Sequence, residues 1–402
     1  MFDATRSIPY GFAIRADAAE IAGTCDARFA AVREALLENV THRDELGAAV
    51  AVIVEGKPIV ELWCGWADAD RTRLWQRDTL VNVFSVGKAM AGLCVLMLVS
   101  RGLLDLDEPV SERWPEFAAA NKENITVRQV LSHQAGLAAI ERELPQGALY
   151  NWDLVTNALA EQRPWWTPGA GHGYHVHTFG FLAGEIVRRV VDEPIGSFMR
   201  REIAEPLAVN VRFGCARSDR RRRAEYLFDL ERVSATGRLS RADGRPRAVV
   251  DAHLRERAYL NPPGATGVNT VNTVAWQDAE LPSANLHAGA PGIACVYDAL
   301  LSDTPALIDR QLLQEATNEA ANGVDLVLGR PSRFGLGFQL TQPERPMGPN
   351  AGSFGHFGTG GSLGFADPQA NVAFAYVMNR GGSQWQDPRN RALIDAVYAS
   401  LD

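Results

Sequence analysis

The chain has 402 residues, enough for a large hydrophobic core and for two or so folding units. Its 40 basic and 48 acidic side chains give a net charge of −8, which argues against nucleic acid as a main partner. Five scattered cysteines (Cys25, Cys64, Cys94, Cys215, Cys295) are odd in number and sit in apolar contexts, so they read as reduced core residues rather than a disulfide frame. Met1 to Tyr10 lacks the apolar core of a secretory signal, and the longest apolar run, Ala89 to Val99, falls short of the roughly 20 residues of a membrane span. The expectation is a soluble, cytoplasmic protein whose oligomeric state is open.

Asp26 to Asn39 carries apolar residues at helical spacing, with charges opposite. Leu46 to Val54 and Pro58 to Trp66 are β-branched and apolar around Glu55-Gly56-Lys57, which predicts a hairpin. A helix is predicted from Ser85, its apolar run Ala89 to Ser100 ending at Gly102.

From Gly102 the texture becomes helical, with stretches predicted at Thr126–Ser132, Leu154–Gln162 and Phe179–Val191. Ser218 to Arg223 is a basic run that reads as a solvated helix face. Asn261 to Asn285 reads as a long loop lining an active-site mouth. Strands return at Arg333–Thr341, Ser353–Phe357, Ser362–Ala366 and Val372–Met378, and Arg391–Leu401 closes as a helix. The predicted fold is α+β: an antiparallel sheet from residues 1–102 and 325–402, flanked by helices, with a mainly helical insertion over 103–324.

Three stretches carry chemistry. In Val83-Phe84-Ser85-Val86-Gly87-Lys88, a serine opens a buried helix and a lysine lies one turn further on the same face. The helix start leaves the Ser85 N–H unpaired and adds the positive end of the macrodipole, which suits charge developing in acyl transfer. An isolated S-x-x-K also fits an N-cap serine followed by a solvated lysine.

The second stretch is Trp165-Trp166-Thr167-Pro168-Gly169-Ala170-Gly171-His172-Gly173-Tyr174-His175-Val176-His177, an irregular loop. Beside a Lys88 ammonium the Tyr174 phenolate is favoured, so Tyr174 could take the Ser85 proton and return it to the leaving group. His172, His175 and His177 also raise a metal site, although the run lacks an acidic or thiolate ligand and no H-E-x-x-H occurs.

The third stretch, Phe354 to Gly364, is glycine-rich between strands, and its Thr359 amide is a candidate second oxyanion donor. It contains Gly360-Gly361-Ser362-Leu363-Gly364, a match to the nucleophile-elbow pattern. That pattern requires a following helix, whereas Phe365-Ala366-Asp367-Pro368 reads as strand then turn, so Ser362 is expected to be structural.

In this order the stretches resemble the serine β-lactamase/penicillin-binding-protein superfamily, and more closely its class C-like carboxylesterases, family VIII. Gly102 to Val110, Val130 to Leu137, Pro168-Gly169, Leu281 to Asn285 and His356 to Ser362 extend the likeness through most of the chain. The resemblance implies a β-lactamase/transpeptidase-like fold and a cofactor-free esterase. It makes Ser85 the acylated nucleophile, Lys88 and Tyr174 the proton-transfer pair, and the Ser85 and Thr359 amides the oxyanion hole.

The superfamily's Y-x-N box has Val176 where asparagine is usual, and its K-T-G box has His356 where lysine is usual. An unperturbed histidine is mostly neutral at pH 7, so both changes weaken recognition of an anionic lactam and favour short, neutral esters. His356 is then expected to polarise or orient the site, and Phe84, Gln134, Trp165, Trp166, Gly358 and the loop near Trp276 to shape the pocket. The alternatives are β-lactamase, D-amino-acid peptidase or acyltransferase chemistry, a metallohydrolase using the three histidines, and a relative that acylates without turnover.

Overall fold

The computed structural model describes residues 20–228, 251–302, 307–382 and 384–401. The reading of Met1 to Tyr10 lies outside them.

The strands are β1 (Ala22–Cys25), β2 (Gly47–Val54), β3 (Lys57–Gly65), β4 (Val81–Asn82), β5 (Val211–Phe213), β6 (Leu227–Phe228), β7 (Leu286–Ala288), β8 (Ala321–Val324), β9 (Pro331–Phe334), β10 (Gln339–Leu340), β11 (Phe354–Phe357), β12 (Leu363–Asp367), β13 (Val372–Met378) and β14 (Arg380–Gly381). The α-helices are α1 (Ala30–His42), α2 (Val86–Ser100), α3 (Val127–Leu131), α4 (Trp152–Glu161), α5 (Thr178–Val191), α6 (Ile195–Met199), α7 (Ala252–Leu260), α8 (Val274–Asp278), α9 (Ala290–Leu301), α10 (Arg310–Thr317) and α11 (Pro388–Ala399).

Among the described residues the principal sheet has nine strands in the order β1-β3-β2-β13-β12-β11-β10-β9-β8, every pair antiparallel. Glu55 (φ 50°) and Gly56 (φ 72°) close the β2–β3 hairpin, a two-residue turn whose twist matches the strands. β2 pairs with β13 from Val54↔Val372 to Ala48↔Met378, which joins the two ends of the chain. Strands β12 and β13 are buried throughout, which explains their near-continuous apolar character. Helix α9 packs on β2, β12 and β13, α2 contacts β11 and α5, and α1 packs against α11.

Helix α2 is buried from Val86 to Leu98, as an apolar run on all its faces demands. Truncating a side chain such as Leu93, with no exposed surface, would cost about 2–5 kcal/mol.

Four expectations are corrected by the structure. Arg333–Thr341 is not one strand: β9 and β10 are separated by a turn in which Gly337 (φ +80°) lies against Gly92 of α2. The sheet begins its return at Ala321, rather than at 325, because β8 pairs with β9. Within the region read as helical, β5 and β7 are strands that pair with each other, and β7 also with β4 of the N-terminal part, in a small antiparallel sheet whose two- and three-residue strands are too short to show alternation. The stretch Asn261–Asn285 contains α8, capped by the Thr273 side chain on the Trp276 N–H. The basic run forms a 3₁₀ helix over Arg217–Arg222, where Arg222 pairs with Asp219 at 2.8 Å and Arg220 pairs with Asp278.

Candidate active site

Ser85 caps α2 at the end of a short link from β4. The link turns through Phe84, whose φ of +48° is strained for a bulky residue. Aromatic packing holds it there, with ring centroids of Tyr226, Phe228 and Trp276 at 4.8, 5.9 and 6.4 Å. Phe84 is therefore a buried brace beneath the serine and not a pocket wall. Trp276 is likewise core, its indole N–H bonded to Asn82 Oδ1 at 2.9 Å.

Lys88 is fully buried, with Nζ 3.1 Å from Ser85 Oγ and 3.1 Å from the Ser283 carbonyl. The Ser283 segment reaches this depth because Gly87 has no side chain: a Cβ there would lie 2.5 Å from the Pro282 carbonyl oxygen. Ser283 Oγ in turn accepts the Gly180 N–H of α5 at 2.7 Å. No carboxylate pairs with Lys88 among the described residues, and burial holds its amine well below the ordinary lysine range.

The Tyr174 phenol engages the Ser85 side chain, and Lys88 Nζ lies 4.8 Å from the Tyr174 ring centroid. Burial pushes the phenol up, against the expectation of a favoured phenolate. Desolvation favours the neutral form of each group, which suits the amine to accept a proton and the phenol to give one.

Asp325, which the sequence reading missed, secures this loop. Its carboxylate accepts the Tyr174 N–H at 3.0 and 3.1 Å, the Val327 and Leu328 N–H groups at 2.8 Å each, and the Ser332 hydroxyl at 2.9 Å. Nothing in the local sequence marks an aspartate about 150 residues away as the holder of the tyrosine.

His356 lies on β11 with its ring centroid 6.1 Å from that of Tyr174. Its Nδ1 faces the Phe357 carbonyl at 2.7 Å, so Nδ1 carries the proton and Nε2 is the acceptor. Nε2 is buried without a partner among the described residues. Burial, then the Lys88 charge, holds the imidazole well below its ordinary value.

The loop after β11 is pressed against the link into Ser85. Ser362 Oγ donates to the Val83 carbonyl at 3.1 Å, and a Cβ on Gly358 would meet that carbonyl oxygen at 2.3 Å. Ser362 is buried and leads into a strand, so it is structural. Three further residues missed in the sequence hold the carbonyls around Thr359: Tyr226 Oη bonds Thr359 O at 2.9 Å, Arg389 Nη2 bonds Gly360 O at 3.2 Å, and Asn390 Nδ2 bonds Gly361 O at 2.8 Å. These bonds hold the Thr359, Gly360 and Gly361 carbonyls in place.

The remaining expected pocket residues serve the scaffold. Gln134 Nε2 donates to Ser132 Oγ at 2.9 Å and Ala320 O at 3.0 Å, and the Gly358 N–H donates to Ser362 O at 2.7 Å. The indole N–H groups of Trp165 and Trp166 bond Ala139 O at 2.8 Å and Gly171 O at 3.1 Å. Both tryptophans nevertheless pack against the apolar cluster that contains Tyr174, Val176 and Phe334.

The three histidines do not form a metal centre. His175 uses both nitrogens locally, Nδ1 on Gly173 O at 2.7 Å and Nε2 accepting the Leu137 N–H at 3.2 Å. His172 Nε2 bonds Ser332 Oγ at 2.9 Å. Burial pushes His175 down to about 4 and His177 down to about 3. No three His, Cys, Asp or Glu side chains converge as ligands among the described residues, and no helix among them is long and apolar enough to cross a membrane.

Comparison with known proteins agrees with this arrangement. Residues 32–399 match the family described as Beta-lactamase. Esterase/beta-lactamase LipL of Mycobacterium tuberculosis is 33% identical over 89% of this chain and 82% of its own length. Esterase EstB of Burkholderia gladioli is 27% identical over 95% of this chain and 96% of its own. A solved penicillin-binding-protein homologue from Caulobacter crescentus superposes with a TM-score of 0.85 at 38% identity, covering 95% of this chain and all of that one. A solved family VIII carboxylesterase superposes with a TM-score of 0.85 at 36% identity, with the same coverage. The chain belongs to the serine beta-lactamase-like superfamily, in its family VIII carboxylesterase branch, and is a serine hydrolase.

Proposed function

We propose that this chain hydrolyses carboxylic esters, short in the acyl chain and uncharged around the carbonyl, through an acyl-serine intermediate. The observation that carries the reading is the 3.1 Å approach of a fully buried Lys88 amine to Ser85 Oγ. The Lys88 amine takes the Ser85 proton as Oγ attacks the ester carbonyl. The Ser85 and Thr359 amides receive the oxyanion. Tyr174, a protonated phenol beside the serine, gives a proton to the departing alkoxide and is restored through Lys88. Water then adds to the acyl group by the reverse relay, releasing the acid and the free serine.

His356 supports the uncharged substrate, because a neutral ring with an open Nε2 acceptor offers no fixed cation beside the carbonyl. Val176 adds an apolar wall where an asparagine would bind an amide. LipL carries both esterase and beta-lactamase in its name, so relative rates on a butyrate ester, a cephalosporin and a D-alanyl amide separate ester hydrolysis from its lactamase and peptidase alternatives. An added alcohol acceptor reports acyl transfer. The five free cysteines, three of them buried, suit a reducing cytoplasmic setting.

The deciding experiment is Ser85→Ala assayed on p-nitrophenyl butyrate, with intact-mass spectrometry of the wild type after rapid quenching. The expected result is a loss of roughly a thousandfold or more in kcat and a wild-type adduct of one acyl group. Turnover retained by Ser85→Ala overturns the assignment, and an adduct that persists without turnover identifies an acylating binder instead.

A further inference from the structure

Beyond the reacting groups, Arg345 is a cation near the site that forms no ion pair among the described residues. Arg345, in the segment between β10 and β11, lies with its guanidinium carbon 3.7 Å from the centroid of the Phe357 ring. Phe357 follows His356 in the chain. Arg345 Nε is buried without a hydrogen-bond partner, and no described acidic side chain forms an ion pair with this guanidinium. The acid whose charge reaches it, Asp387, is already held by Arg389 at 2.8 Å.

Arg345 lines a small hollow together with Phe334, Phe357, Arg333 and Trp385. Two features tie the hollow to the active site. Phe334 stacks on Tyr174, with centroids 5.9 Å apart and planes 5° from parallel. The Arg345 charge also acts on the Tyr174 phenol and the His356 ring.

A second guanidinium lies close by: Arg330 sits over the Trp385 ring at 4.1 Å, and its charge acts on Arg345. The hollow leaves about 30 Å³ open to the centre of a water-sized sphere, against the roughly 10–15 Å³ that one water needs, which gives room for a carboxylate head. The planar fork of an arginine matches a carboxylate in two-pronged geometry.

We propose that Arg345 is a substrate-binding residue that receives a carboxylate on the acyl part of the ester, remote from the bond cleaved, so that dicarboxylic acid monoesters are the preferred substrate class. This rests on the ester-hydrolysis reading and narrows it: the substrate is uncharged around the reacting carbonyl, where neutral His356 sits, and anionic at its far end, where the unpaired arginine sits. The sequence reading could not reach this residue, since Arg345 belongs to no motif and only the folded chain sets it over the Phe357 ring.

The test compares ethyl hydrogen succinate with ethyl butyrate, a matched pair differing in the terminal carboxylate, in wild type, Arg345→Gln and Arg345→Lys. The expected result is a wild-type preference for the succinate monoester. The ratio of the two kcat/KM values should fall about ten- to a hundredfold in Arg345→Gln, mainly through KM, with partial recovery in Arg345→Lys. A ratio unchanged by Arg345→Gln overturns the proposal.

Should Arg345→Gln fail to fold, competitive inhibition of the wild type decides. Succinate at least tenfold more potent than butyrate supports the site, and equal potency overturns it. If no ester is turned over, the function reading fails separately, and calorimetric titration of the wild type with succinate still tests the site: saturable binding weakened by added salt supports it, and no binding overturns it.

Discussion

Lys88 Nζ lies 3.1 Å from Ser85 Oγ inside a helix that excludes solvent from the lysine completely. A lysine in that position is costly to charge, which suits it to the role of base proposed above. The same desolvation gives the proposed catalytic pair a measurable signature in folding.

Lys88 titrates below its ordinary 10.5 in the folded chain because of burial. Between the folded value and 10.5 the unfolded chain binds one more proton than the folded chain, so stability rises with pH across that window. The slope contributed by this single group approaches about 1.4 kcal/mol per pH unit. In urea denaturation from pH 7 to 10, the stability of wild type relative to Lys88→Met should climb with pH. Parallel curves would show that the amine is charged in the native state.

His356 keeps its proton on Nδ1, bonded to the Phe357 carbonyl, and burial depresses its titration well below 6.5. Its imidazole NMR signals should therefore show no titration between pH 6 and 8. A midpoint near 6.5 would mean that the ring is solvated and that the site gains a cation in mild acid.

The Tyr226 hydroxyl holds the Thr359 carbonyl at 2.9 Å. Tyr226→Phe should lower kcat about tenfold with little change in KM, because a loosened amide is felt when the oxyanion forms. The stability cost should be about 1 kcal/mol. A rise in KM with kcat preserved would argue that the loop contributes to binding alone.

Gly92 of α2 faces Gly337 so closely that an added Cβ would sit 2.7 Å from the Gly337 Cα. Backbone cannot step aside as a flexible side-chain tip can, so Gly92→Ala should destabilise by about 1–3 kcal/mol, read as a lower urea midpoint at unchanged slope. An unchanged midpoint would show that the β9–β10 turn yields.

Local patterns determined a large part of this protein. The apolar run behind Ser85 could only be a buried helix, the alternating and β-branched stretches around Glu55-Gly56 could only pair as a hairpin, and the three-residue step from Ser85 to Lys88 placed both on one helical face. These features depend on neighbours in sequence, so spacing alone exposes them. The corrections fall where neighbours in space decide. Gly92 and Gly337 bend Arg333–Thr341 into two strands, burial keeps Tyr174 protonated against the pull of a nearby amine, and Phe84 turns inward among three rings. Asp325, Tyr226 and Arg345 reach the site from positions about 150, 130 and 170 residues from Tyr174, Thr359 and Tyr174 respectively, and no periodicity encodes such approaches. Desolvation and close contact are properties of the packed whole, so the direction in which Lys88, Tyr174 and His356 are shifted was decided only when the two ends of the chain met in one sheet.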